Sequence, residues 1–146
     1  MEKSLNLKVK FMEAFDLVEQ DIRTYSPLTL AYIGDAIFEL VVRTVLVERK
    51  NTQPEKLHKA ATKVVKAETQ SLMIEAIKEC LTPEELAVYK RGRNAKAVTR
   101  AKNASMSDYR KATGFEALMG YLYLTGDMER MIDLIHLAAE KAEVTL

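Results

Sequence analysis

The stretch Leu28–Val47, LTLAYIGDAIFELVVRTVLV, is apolar almost throughout and carries charge only at Asp35, Glu39 and Arg43. At helical spacing these three fall at i, i+4 and i+8, one polar stripe on a rod that is greasy everywhere else. A carboxylate inside such a helix is costly unless a cation compensates it, and that cation is either a side chain or a bound metal. A second acid in similar company, Glu116 within FEALMGY at 115–121, makes the metal worth pursuing.

Working outward from this helix, Ser26-Pro27 supplies an N-cap followed by proline at the first helical position, and the end is expected near Arg49-Lys50-Asn51. Ahead of it, Phe11, Ala14, Phe15, Val18 and Ile22 line one face of a first helix expected over about Val9–Arg23. Behind it, Thr52-x-x-Glu55 reads as a capping box opening one long helix to about Glu79, with Leu57, Ala60, Ala61, Val64, Ala67 and Leu72 on its apolar side. Thr82-Pro83-Glu84-Glu85 repeats the cap, proline and acidic first turn. That helix is expected to fray into Arg91-Gly92-Arg93-Asn94, ahead of a basic connector over about 95–106. Ser107 or Asp108 then caps a helix to about Thr125 that ends at Gly126. Asp127 caps the last one, whose Met128, Met131, Ile132, Ile135, Ala138, Ala139 and Ala142 form a stripe. Five Gly, three Pro and no sustained strand alternation make this an all-α chain.

Its 146 residues, 48% hydrophobic and 29% charged, fit a single domain spanning 1–146 with a real core and no disulfides. The solitary Cys80 excludes a disulfide framework and a cysteine-rich zinc site; it reads as a core or boundary thiol in a reducing cytoplasm. No secretory signal is visible in Met1-Glu2-Lys3-Ser4. The apolar helix is long enough for a bilayer, but Asp35, Glu39 and Arg43 in its middle argue against any membrane role. His58 and His136 are isolated and read as surface or boundary residues.

Net charge is only +1, yet Lys90, Arg91, Arg93, Lys96, Arg100 and Lys102 fall in a run without one acid, whereas the chain from Asp127 to Glu143 leans acidic. Such segregation predicts one positive face. Arginine forks grip phosphate bidentately, and Asn94 can reach sugar hydroxyls or base edges. Asp35 and Glu116 sit on separate apolar helices; brought together they offer the hard oxygen ligands that Mg²⁺ prefers, with Mn²⁺ the alternative ion. Glu39 either contributes through water or pairs with Arg43. Gly34 and Gly120 sit mid-helix, where glycine costs about 1 kcal/mol; one motive for keeping them is a close helix–helix or ligand approach. On periodicity alone the face of Thr113, Glu116, Gly120 and Tyr123 can equally be a wet surface. Acids for a metal beside bases for a backbone are what phosphodiester cleavage requires.

These residues resemble a known family. LAYIGDA at 30–36 is similar to the signature helix of the ribonuclease III catalytic domain, and FEALMGYLY at 115–123 to its second acidic motif. The basic RGRNAK at 91–96 and KNA at 102–104 are most similar to the compact bacterial branch, mini-ribonuclease III, which lacks a double-stranded-RNA-binding domain. The likeness runs over roughly Leu28–Leu137. It implies a helical homodimer that cleaves double-stranded RNA with Mg²⁺ and leaves 5′-phosphate and 3′-hydroxyl ends. Asp35 and Glu116 would be the catalytic and metal-binding residues. Arg91, Arg93, Asn94, Lys96, Lys102 and Asn103 would hold RNA, and Tyr32 would pack across the dimer seam. The branch is associated with maturation of precursor 23S ribosomal RNA, with a ribosomal protein as a further candidate partner. Ala31 and Thr113 depart from the wider family, which carries an acid at each position. The alternatives are a non-catalytic structured-RNA-binding module, which would bind without cutting, and a protein-interaction module with no RNA affinity.

Overall fold

The apolar stretch forms one helix, Pro27–Arg49 (α2), capped by the Ser26 hydroxyl accepting from the Thr29 N–H. A computed structural model describes residues 6–95 and 105–146. Among these residues every regular element is helical. Leu7–Ala14 (α1) precedes α2; Pro54–Val65 (α3), Ala67–Ile77 (α4), Pro83–Asn94 (α5), Met106–Leu124 (α6) and Met128–Lys141 (α7) follow. Short 3₁₀ turns lie at Ile22–Thr24 and Lys78–Cys80.

Helix α6 is the hub, with α2, α5 and α4 packed along it and α7 set against α4 and α6. The core between them is fully buried at Phe38, Met73, Phe115, Leu118 and Met131. Phe38 meets Phe115 edge to face at 5.2 Å and 88°, a pairing that adds about 0.5–1.5 kcal/mol to their burial. What brings α2 and α6 so close is glycine on both sides. A Cβ at Gly34 would overlap the Glu116 carbonyl oxygen, and one at Gly120 would overlap the carbonyl of Leu30. Each side chain omitted lets the opposite backbone in, which is why the helices tolerate the propensity cost.

Several expectations are corrected. The first helix is much shorter than Val9–Arg23, because Asp16 adopts φ 55° and the Leu17 N–H turns back to the Met12 carbonyl. A left-handed residue ends an α-helix, and aspartate tolerates that conformation better than most. Phe11, Phe15 and Val18 are consequently exposed, not a buried face. The capping box at Thr52 is absent: the N-cap is Gln53, with no side-chain hydrogen bond.

The helix expected to run to Glu79 is two, broken at Lys66, whose backbone is extended (φ −67°, ψ 157°). The break changes which face α4 buries, so Met73, Ile74 and Ile77 enter the core while Leu72 stays out. Cys80 is exposed, as are both histidines. The N-cap of α6 is Ser105, two residues before Ser107 and three before Asp108. In contrast, Thr82 and Glu85 form the full capping box at α5, and Asp127 caps α7.

Candidate active site

Gly34 and Gly120 decide where two acids meet. Asp35 follows Gly34 on α2, Glu116 lies one turn before Gly120 on α6, and the crossing brings their carboxyl groups within hydrogen-bond reach of each other. The face of α6 that carries Glu116 is not wet: Thr113, Gly120 and Tyr123 are buried, and Glu116 itself is half-buried. Burial, and then the Asp35 charge, push the Glu116 carboxyl up to about 8. Asp35 keeps an exposed face, yet desolvation and the nearby Glu39 raise it too. Among the described residues no cationic side chain pairs with either acid. The nearest arginine on α2, Arg43, is bound to Glu39 at 2.9 Å in a simple i,i+4 pair. Glu39 adds negative potential beside the pair.

The donor set is thus two carboxylates. No group of three or more His, Cys, Asp or Glu side chains capable of enclosing a metal occurs among the described residues. Two acids suit Mg²⁺, which is usually held by one or two carboxylates and keeps most of its waters. A crowded acid pair without a counter-ion is what a small dication would relieve.

One neighbour of the pair had no signal in the sequence. Gln70, on the first turn of α4, donates from Nε2 to Glu116 Oε2 at 3.1 Å and to the Val65 carbonyl at 2.7 Å. It reaches Glu116 only because the chain breaks at Lys66, and nothing in the local residues announces that break.

The basic residues divide. Arg91 and Asn94 are exposed and Arg93 partly so, all on the last turn of α5, which continues to Asn94 instead of fraying. Gly92 explains the continuation: a Cβ there would lie 2.8 Å from Ala117 Cβ and 2.9 Å from Gly114 Cα. Those two residues precede and follow Glu116 on α6, so the cationic end of α5 packs on the same turn of α6, against a different face from the one that carries the acid. The Arg93 guanidinium lies 5.7 Å over the Tyr89 ring, and its Nε donates to Asn94 Oδ1 at 3.2 Å. Lys96, Lys102 and Asn103 lie outside the described residues. Tyr32 stands 82% exposed on α2. A groove of about 690 Å³ between α1 and the Tyr123–Thr125 end of α6 is lined by neither acid.

The model of the ribonuclease III domain matches residues 28–127, a span that contains both acids and the crossing glycines. The mini-ribonuclease 3 of Clostridium tetani is 46% identical over 129 residues, covering 88% of this chain and 85% of the relative. That of a Thermoanaerobacter species is 42% identical over 144 residues, covering 98% and 99%. The chain belongs to the mini-ribonuclease III branch of the ribonuclease III family. A crystal structure of a Fusobacterium nucleatum protein, 33% identical, superposes with a TM-score of 0.75 over 84% of this chain and 98% of that one.

Within this mini-ribonuclease III chain, the two positions that depart from the wider family face inward. Ala31 is 7% exposed against the Val88 and Ala117 side of α5 and α6. Thr113 is buried, and its hydroxyl donates to the Tyr109 carbonyl of its own helix at 3.0 Å. Neither supplies charge, so the carboxyl groups that meet at this crossing are those of Asp35 and Glu116.

Proposed function

We propose that this ribonuclease III-family hydrolase, an endoribonuclease of double-stranded RNA, cuts at the Asp35–Glu116 pair, whose two carboxylates would hold Mg²⁺. The observation that carries this reading is the meeting of two acids from separate helices, within hydrogen-bond reach and without a cationic partner among the described residues. A fold gains nothing in stability from such a pair, and a catalyst that must hold a dication does. When bound, Mg²⁺ supplies an activated water and charge stabilisation for phosphodiester hydrolysis.

The chain's own residues do the rest. Asp35 and Glu116 offer hard oxygens, while Glu39, bound to Arg43, deepens the negative potential that attracts a cation. Arg91, Arg93 and Asn94 lie beside the α6 turn of Glu116 and suit the phosphates and 2′-hydroxyls of an A-form duplex. Arg93 is prepared for this by its contacts with Tyr89 and Asn94, which restrict its rotamers before RNA arrives. With few phosphate contacts per subunit, binding is modest and steeply salt-dependent.

Two copies bring two acid pairs and double those contacts. The exposed Tyr32 on the apolar helix α2 is the aromatic residue we assign to the seam of that homodimer. A precursor of 23S ribosomal RNA, presented with or without a ribosomal protein, is the substrate we favour. No helix among the described residues is long and apolar enough to cross a membrane. The lone exposed thiol of Cys80 suits the cytoplasm, where such precursors are processed.

Incubating the protein with long double-stranded RNA, in Mg²⁺ or in chelator, tests the reaction. Asp35→Asn tests the site: cutting is lost while the RNA gel shift persists at low salt. Undiminished cutting by Asp35→Asn would remove that residue from the chemistry. Binding without cutting in the unmodified protein would leave a structured-RNA-binding module instead.

A further inference from the structure

Gln70 is 2% exposed and sits immediately after the chain break at Lys66. The last carbonyls of any α-helix lack intrahelical donors, and the start of α4 supplies two to the end of α3. The Thr69 hydroxyl donates to the Lys63 carbonyl at 2.6 Å, and Gln70 Nε2 to the Val65 carbonyl at 2.7 Å. The second Nε2 proton goes to Glu116 Oε2 at 3.1 Å.

Both donors of one amide are therefore committed, and the orientation of the group is fixed. Turning it over would set Oε1 against the Val65 carbonyl oxygen, replacing a 2.7 Å hydrogen bond with a repulsion. The remaining atom, Gln70 Oε1, is buried and has no partner among the described residues. A buried acceptor left unpaired is a local cost that an apolar side chain of the same size would avoid. Capping Val65 alone does not require an amide, since the Thr69 hydroxyl caps the neighbouring Lys63 carbonyl without leaving a buried acceptor unpaired. Contact with Glu116 does.

We propose that Gln70 is a positioning residue that clamps the Glu116 carboxylate from the α4 side, so that it faces Asp35 in the arrangement a divalent ion requires. This rests on the reading of Asp35 and Glu116 as the metal-binding pair. A glutamate has three side-chain torsions and loses its aim easily; a donor tied to the α3 carbonyl end removes that freedom before the ion arrives. The chain uses the break at Lys66 to do this, because a continuous helix would carry position 70 in a different direction. Outer groups that orient metal-binding carboxylates commonly govern metal affinity and rate by about 10–100-fold.

Gln70→Met removes both hydrogen bonds at nearly constant volume. Thr69→Val removes the neighbouring cap at the same break without touching Glu116, and so reports what weakening the break does by itself. Calorimetric titration of each variant with Mn²⁺, without RNA, is the primary measurement. Cleavage of long double-stranded RNA at varied Mg²⁺ follows. Gln70→Met is expected to bind Mn²⁺ about 10–100-fold more weakly, with a matching fall in kcat and a KM for RNA within about twofold of the parent. Thr69→Val is expected to melt earlier with its Mn²⁺ affinity intact.

Parental Mn²⁺ affinity in Gln70→Met, or equal weakening in Thr69→Val, overturns the proposal. Should Gln70→Met fail to fold, Gln70→Asn is one methylene too short to span both partners and carries the same expectation. Glu116→Gln, run alongside, separates the two readings. If it cuts RNA at the parental rate, the acid-pair reading falls and Gln70 with it. If it is inactive while Gln70→Met binds Mn²⁺ normally, only the role of Gln70 falls.

Discussion

Glu85 and Glu116 are two glutamates of one small fold, both drawn from solvent, and they live under opposite conditions. Glu85, 5% exposed at the start of α5, receives the Arg130 guanidinium of α7 through two bonds of 2.8 Å and the Thr82 N–H at 2.9 Å. Arg130 is the main reason its carboxyl lies below the usual range. Glu116 receives one neutral amide and faces another acid, and burial drives it up to about 8. The first is a buried charge whose every need is met within the protein. The second is held where its charge is penalised, and nothing in the fold's own stability rewards that. A protein able to build the first arrangement has no structural reason to retain the second. On the function we propose, the difference separates an acid that serves the structure from one kept for a ligand.

Neutralising each acid in turn should give opposite results, and the larger effect falls on activity. Glu116→Gln removes an oxygen ligand, and cleavage in Mg²⁺ is expected to drop by about 10³-fold, the several kcal/mol that metal chemistry supplies. In chelator at pH 8 the same variant should melt above the parent, because a penalised charge is gone. Glu85→Gln should leave cleavage near the parental level and lower stability by about 2–3 kcal/mol, since Arg130 loses its charged partner and the box at Thr82 is weakened. Denaturant melts and RNA cleavage on the same two preparations check both. A stable Glu85→Gln, or a destabilised Glu116→Gln in chelator, would erase the contrast.

Much of this was legible in the residues. Ser26-Pro27 and Thr82-Pro83 mark helix starts because caps and N1 prolines act locally, and α2 and α5 begin there. The acids stood out because carboxylates in apolar runs demand an explanation. Gly34 and Gly120, costly in a helix interior, pointed to a close crossing that then proved to be where the two acids meet. What stayed hidden depends on tertiary contacts. Nothing around Lys66 breaks a helix by propensity; the break is held by Thr69 and Gln70 reaching back to α3, which only the packed structure shows. The same holds for Arg91 and Arg93, whose helix continues because Gly92 lies flat against α6. Asp16 ends α1 through a single left-handed residue, which an amphipathic pattern cannot foretell.

The third and smallest effect is on pH, and it distinguishes the acids without a mutation. Glu116 has an ordinary value of 4.5 and a folded value of about 8, raised chiefly by burial. Between those values the folded state holds a proton that the unfolded chain has released, so stability falls as pH rises through the window. Asp35 moves in the same direction, although its exposed face lets water screen part of the cost. Glu85 is shifted down, so its contribution is complete above 4.5 and is lost only at more acidic pH; it leaves the window flat. In chelator the melting temperature should therefore fall by about 3–6 °C from pH 5 to pH 8. Saturating Mg²⁺ should flatten that slope, because the ionised pair then has its counter-ion, and Glu116→Gln should flatten it without metal. A slope that survives undiminished in Glu116→Gln would place the titrating group elsewhere and dissolve the distinction between the two glutamates; a remainder of it belongs to Asp35.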